Sequence, residues 1–150
     1  MSPLSSHVII GTDHAGYTLK QALLPLLKQQ GLTVEDLSPS LTPDDDYPLI
    51  AHQVAEKVTK ASDRQWGILL CGSGIGVSIA ANRHPSVRAA LVRTATDAEL
   101  ARLDDQANVL VLGGRITKPE ELPEILEAWL KTDPSSDPRH ARRVAQIDQF

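Results

Sequence analysis

The sequence predicts a doubly wound α/β/α sandwich, a five-stranded parallel sheet with helices on both faces. Short runs of aliphatic and β-branched residues alternate five times with helix-like segments, the order of a sheet whose crossovers are helices. Most of these runs are continuously apolar rather than alternating, as strands covered on both sides should be. Composition sets the scale. With 150 residues, 41% of them hydrophobic but only 3% aromatic, the chain reads as one domain, 1–150, with an aliphatic core. A fold of that size buries about 70% of its unfolded surface and needs no disulfide or metal staple.

In chain order, strands are expected at His7 to Thr12, Leu32 to Leu37, Trp66 to Cys71, Val87 to Val92 and Asn108 to Gly113. Between the first two, Tyr17 to Gln30 places Leu19, Leu23, Leu26 and Leu27 on one helical face and stops at Gly31, a C-terminal cap. Ile50, Val54 and Val58 recur at i+4 behind Pro48, a proline suited to a first turn. The acidic run Asp44 to Asp46 ahead of it reads as a solvated loop that helps cap this helix rather than as a metal site. Thr96 with Glu99, and Thr117 with Glu120, have capping-box spacing. The second pair precedes Leu122, Ile125, Leu126, Trp129 and Leu130, a single apolar stripe. Lys131 to Pro138 reads as a linker, and Arg139 to Phe150 as a tail helix entered through Asp137 and Pro138.

The net charge of −4 argues against a nucleic-acid binder that works through a bulk positive field. A lone cysteine, Cys71, can form neither an internal disulfide nor a multi-cysteine zinc site and suits a reducing compartment. No apolar run approaches the roughly 20 residues of a membrane span, and Met1 to Ser6 lacks the basic start of a leader. The expected address is the cytoplasm.

Ligands of open parallel sheets gather at the carboxyl ends of strands, and three turns there stand out. They are Gly11-Thr12-Asp13-His14-Ala15-Gly16, Cys71-Gly72-Ser73-Gly74-Ile75-Gly76 and Gly113-Gly114-Arg115. The glycines after Cys71 let several backbone N–H groups approach an oxygen anion. The loop lacks the Lys-Ser/Thr of a Walker phosphate loop, and it follows the third strand, not the first as a dinucleotide fingerprint would. Val77 breaks the Cys-x5-Arg pattern of a cysteine phosphatase. Cys71, at a strand end and the mouth of a helix, stands where the thiolate is favoured. Arg139, His140, Arg142 and Arg143 crowd the tail, and Arg115 sits at another strand end, the groups a phosphate dianion recruits. A tight turn, an inert core thiol and a solvated helix face are the plainer readings of the same three features.

Together these residues resemble the B-type ribose-5-phosphate isomerases and the related galactose-6-phosphate isomerase subunits. The resemblance rests on Gly-Thr-Asp-His-Ala-Gly-Tyr at 11–17, Asp-Tyr-Pro at 46–48, Cys-Gly-Ser-Gly-Ile-Gly at 71–76 and Ala-Ala-Asn at 80–82. It continues through Asn-Val-Leu at 108–110, Gly-Gly-Arg at 113–115 and Arg-His-Ala-Arg-Arg at 139–143. It implies a flavodoxin- or Rossmann-like fold with a helical tail, and a homodimer, which can pair into a tetramer, with active sites at the subunit junction. It further implies aldose–ketose isomerisation through an enediolate with neither metal nor cofactor, as in the pentose phosphate pathway. By the same resemblance Cys71 is the base, Ser73 shuttles protons between oxygens, and the N–H groups of Gly72, Gly74, Ile75 and Gly76 hold the enediolate oxygen. His14, Arg115, Arg139 and Arg143 match phosphate ligands, some from the partner chain, while Asp13, Tyr47 and His140 match sugar contacts.

One departure stands out. Where the family usually carries His-Asn, its ring-opening histidine first, this chain has Asp104-Asp105. A carboxylate can accept the anomeric proton, but at neutral pH it is a poor donor to the ring oxygen. Three outcomes are open: His140 substitutes, the substrate is linear, or the protein binds sugar phosphates with weak or lost turnover. The substrate is expected to be ribose 5-phosphate, with a six-carbon sugar 6-phosphate as the rival and a ligand-free structural module as the plainest alternative.

Overall fold

The computed structural model describes residues 4–60 and 65–150. Its five strands are β1 (His7–Thr12), β2 (Thr33–Asp36), β3 (Trp66–Cys71), β4 (Ala89–Leu91) and β5 (Val109–Gly113). All pairings are parallel, in the order β2-β1-β3-β5-β4. The central strands β1, β3 and β5 are almost wholly buried, and the edge strands β2 and β4 only partly. That gradient explains why β1 and β3 coincide with the apolar runs of the sequence while β2 and β4 are shorter than expected. At an edge, backbone pairing on one side only lets strand ends loosen.

The helices are α1 (Tyr17–Gln29), α2 (Tyr47–Lys60), α3 (Ile75–Ala81), α4 (Ala95–Leu103), α5 (Leu122–Lys131) and α6 (Pro138–Ile147). Parallel crossovers are right-handed, so the direction of each step along the sheet decides the face its helix covers. The steps β1 to β2 and β4 to β5 run one way and put α1 and α4 on one face, joined by α5. Their core holds Leu19, Leu23, Ala98, Ile125 and Trp129 against Val8, Ile10, Ile68 and Leu110. The opposite steps put α2 and α3 on the other face, where Ala51, Val54, Val77 and Ala81 meet Ile9, Leu69, Cys71 and Val111. The period-two side-chain alternation therefore sends neighbours in one apolar run to different cores.

Helix ends show where local chemistry differs from expectation. Gly31 adopts a left-handed φ of 75°, with Gly31 N–H donating to the Lys28 carbonyl and Leu32 N–H to that of Leu27, the Schellman closure foreseen for α1. The capping box of α4 is Thr94 with Asp97, two residues before the Thr96–Glu99 pair. β4 ends at Leu91, one residue before the expected strand end, and the chain turns at Thr94. Thr117 is buried and is not the cap of the turn at Pro119–Glu121. Instead the Glu121 carboxylate accepts from Lys118 N–H at 2.7 Å, one residue further on. Asp137 caps α6 as the sequence suggests, accepting from Arg139 N–H at 2.8 Å.

Candidate active site

Strand order reverses between β1 and β3, since β1 leads outward to β2 and the chain then returns to β3. Open α/β sheets place their ligands at the carboxyl edge of such a switch point, and two of the expected turns flank it. After β1, Asp13 is 6% exposed and accepts from Ala15 N–H and Gly16 N–H at 2.9 and 3.2 Å. Those two bonds turn the chain sharply and leave His14 half-exposed above the edge. The turn fits only because residue 16 is glycine: a Cβ there would lie 2.3 Å from Thr12 Oγ1.

After β3 the backbone folds around the thiol. Cys71 is 4% exposed, and Gly74 N–H donates to its Sγ at 3.2 Å. Gly74 takes a left-handed φ of 79°, which an L side chain would strain. Ile75 N–H donates to Ser73 Oγ at 3.1 Å. The turn after β5 clamps this loop, with Gly114 N–H on the Cys71 carbonyl at 2.7 Å and Arg115 N–H on the Gly72 carbonyl at 2.9 Å. Arg115 lies against Gly72, where a Cβ would come 2.8 Å from its Nη1, and the Tyr47 ring covers Gly76, where a Cβ would come 2.4 Å from Cε2. Asp13, His14, Tyr47, Cys71, Ser73 and Arg115 are thus gathered at one edge.

Two charged groups complete this edge without having been singled out in the sequence. Arg93 Nη2 donates to the Ser73 carbonyl at 3.4 Å, reaching it from just beyond β4. It could have been found by inspecting the fourth strand end as closely as the others. Lys20, fully buried, pairs with Asp36 at 2.7 Å, while Asp36 accepts from Ser38 N–H at 2.9 Å and Ser38 Oγ from Thr12 N–H at 2.9 Å. This network pins the end of β1 under the His14 turn, and it joins residues that no local spacing connects.

His14 Nδ1 lies 2.8 Å from Asp45 Oδ1. That hydrogen bond holds the imidazole pKa above its usual 6.5, with Asp13 and Asp44 adding to the effect. Asp13, His14 and Asp45 offer ligand atoms within 4.8 Å of one another, a grouping that the hydrogen bonds above account for.

The remaining predicted residues lie elsewhere. Parallel strands all start at the other edge, and α4 returns the chain there. Asp104 stands at the end of α4, with His140 Nδ1 3.3 Å from its carboxylate. The tail is fixed to the same edge by Ser135 N–H donating to the Leu103 carbonyl at 2.9 Å and by the Arg88–Asp148 ion pair at 2.8 Å. Arg139 and Arg143 are exposed there. Arg139 donates to Asp137 at 2.7 and 3.0 Å, holding that carboxyl down to about 2. The length of β5, five residues or about 16 Å, separates this group from Cys71 within a protomer.

The fold and the placement of these groups define the class, an open doubly wound α/β protein whose glycine-rich strand-end turns meet at the β1/β3 switch point. Residues 8–147 match the family model described as Ribose/Galactose Isomerase. Ribose-5-phosphate isomerase B of Mycolicibacterium paratuberculosis is 40% identical over 95% of this chain and 90% of its own length. The D-erythrulose-4-phosphate isomerase of Pectobacterium atrosepticum is 40% identical over 84% and 83%. The crystal structure of ribose-5-phosphate isomerase B from Mycoplasma genitalium with bound ribulose-5-phosphate superimposes with a TM-score of 0.90 at 42% identity, covering 97% of this chain and 96% of that one. The chain belongs to the ribose/galactose isomerase family, a family of aldose–ketose isomerases.

Proposed function

We propose that this protein interconverts ribose 5-phosphate and ribulose 5-phosphate through an enediolate, with Cys71 as the base. Proton abstraction beside a carbonyl needs a base, donors where oxygen charge develops, and a remote anchor that positions the sugar. The carrying observation is the thiol at the switch point, with a backbone N–H on its sulfur and a glycine turn packed closely around it. In this reading the Cys71 thiolate takes the C2 proton of the linear aldose and returns it to C1. Ser73 moves the proton between O1 and O2, and the amides of Gly72 and Gly76 stabilise the enediolate oxygen, those of Gly74 and Ile75 being already taken by Cys71 Sγ and Ser73 Oγ.

The phosphate anchor is divided. His14 and Arg115 stand at the carboxyl edge, while Arg139 and Arg143 stand at the opposite edge of the same chain. A second copy presenting its tail completes the site, so the working unit is a homodimer. Exposed Ile75 and Ile79 on α3 beside the cradle, and Ile147 in the tail, offer apolar surface for that contact. Asp13 and Tyr47 contact the sugar, and His140, carried on Asp104, opens the ring. Among the described residues no helix is long and apolar enough to cross a membrane, and we place the enzyme in the cytoplasm, where its free thiol stays reduced.

Cys71→Ala tests the reading. Turnover of ribose 5-phosphate should fall by about 10² to 10⁴, while the sugar phosphate still binds in calorimetry. A variant that turns over like the wild type would remove the thiol from the chemistry. A second reading, a four-carbon ketose phosphate, is favoured by the Pectobacterium relative. Comparing kcat/KM for erythrulose 4-phosphate, ribose 5-phosphate and a six-carbon 6-phosphate decides among them.

A further inference from the structure

We propose that Asp45 is a positioning residue for substrate phosphate, acting through His14: its carboxylate fixes the imidazole's orientation through Nδ1 and leaves Nε2 to meet the anion. The inference rests on the isomerase reading above, in which His14 contacts the phosphate. Asp45 Oδ1 accepts from both His14 N–H and His14 Nδ1, each at 2.8 Å, so a single oxygen sets the backbone turn and the ring together. With Nδ1 held as a donor, the free nitrogen is Nε2. It can donate to a phosphate oxygen, and it carries positive charge only while the ring stays protonated.

The acidic run of residues 44–46 otherwise looks ill-suited beside a phosphorylated ligand. The structure divides its labour. Asp45 is half-buried and spends its charge on His14, whereas Asp44 and Asp46 remain exposed, and the Asp46 carbonyl accepts from Leu49 N–H at the start of α2. Asp44 adopts a left-handed φ of 55°, an uncommon conformation for a residue other than glycine, and it immediately precedes the residue that reaches back to His14. The charged groups facing the imidazole are Asp13 on its own turn and Asp44 and Asp45 on this loop. Arg115, from the β5 turn, faces the adjoining Gly72. The ring therefore sits among carboxylates on its Asp45 side, all of which favour its cationic form.

The sign follows. A histidine with a raised pKa keeps its proton to higher pH than the same ring without the Asp45 carboxylate, so the two proteins differ most on the alkaline side of the ordinary histidine range. Asp45→Asn keeps an oxygen that accepts from His14 N–H, so the turn survives while the charge disappears. In this variant KM for ribose 5-phosphate is expected to rise about tenfold on the alkaline side of the ordinary histidine range, with kcat nearly unchanged. The KM gap to wild type should close at about pH 6, where the ring is protonated in both proteins. The phosphate's own ionisation near pH 6 is common to both and cancels in the ratio. The His14 titration midpoint, read by NMR without substrate, should fall toward the ordinary histidine value, and Asp45→Glu should restore most of both effects. A KM ratio that stays flat across pH, or a His14 midpoint that does not move, overturns the proposal. A wild-type protein that fails to isomerise ribose 5-phosphate overturns the isomerase reading instead, and the NMR midpoint still decides the role of Asp45.

Discussion

The two edges of the sheet carry comparable amounts of polar chemistry but build it from different material. At the carboxyl edge backbone amides, one thiol and short-range side chains such as Asp13, His14 and Ser73 are held by turns so tight that Gly16, Gly74, Gly76 and Gly114 have no room for a Cβ. At the amino edge they are long side chains on an exposed helix, Arg139, His140 and Arg143, attached through a few polar links and the buried Val144. The first region is rigid because packing over-determines it. The second is placed by a cap and ion pairs, and its charges stay available to something outside the protomer. Chemistry that tolerates little misplacement belongs on the first kind of element, and electrostatic capture on the second.

The strongest way to break this division is to remove the exposed charges. Arg139→Ala combined with Arg143→Ala deletes two charge-assisted contacts, so kcat/KM should fall by about 10² or more, mostly through KM, with thermal stability nearly unchanged. Mixing that protein with Cys71→Ala sharpens the claim. If each site joins the thiol of one chain to the tail of its partner, half the sites in every heterodimer are intact, and random exchange restores about a quarter of wild-type activity. A site contained within one protomer would recover none.

A smaller effect is expected from the rigid side. Gly114→Ala drives a Cβ to within 2.4 Å of the Ala15 carbonyl oxygen. Backbone must shift, which should cost about 2 kcal/mol in denaturant melts and lower kcat about tenfold by loosening the clamp on Cys71. Wild-type kcat in that variant would mean that the clamp is not needed for the chemistry.

The smallest effect concerns how the tail is capped. Asp137 is held at about 2 by the Arg139 side chain and backbone N–H, against an ordinary value of 3.8. Its contribution to stability is therefore present above 3.8 and is lost as pH falls through about 2. An NMR titration of the Asp137 carboxyl should show that low midpoint in the wild type and a return toward 3.8 in the double arginine variant. Equal midpoints would show that the salt link does not hold the cap.

Much of this was legible in the chain. The ends of β1 and β3 coincide with apolar runs whose composition is dictated by burial on both faces, and the stripe Leu122, Ile125, Leu126, Trp129 is buried as its period requires. The turns carrying Asp13, His14, Cys71, Ser73 and Arg115 could be anticipated because glycines mark close backbone approach. The caps lie one or two residues from the pairs the spacing offers: the edge strand β4 stops at Leu91, ahead of the Thr94 cap, and Thr117 is buried rather than free to cap the turn after it. Lys20 carries no local signal of burial, yet it is fully buried and pairs with Asp36 on the next strand.

The sequence by itself determined the layer architecture, the strand-end turns and the identity of the chemical groups, because periodicity, glycine and residue type act locally along the chain. Only the tertiary structure decided the strand order that puts β1 beside β3, the reach of Asp45 to His14 across 31 residues, and the separation of the arginine tail from the thiol. Those are matters of distance through space, set by crossover handedness and by which partner each buried polar atom finds. No local pattern encodes them.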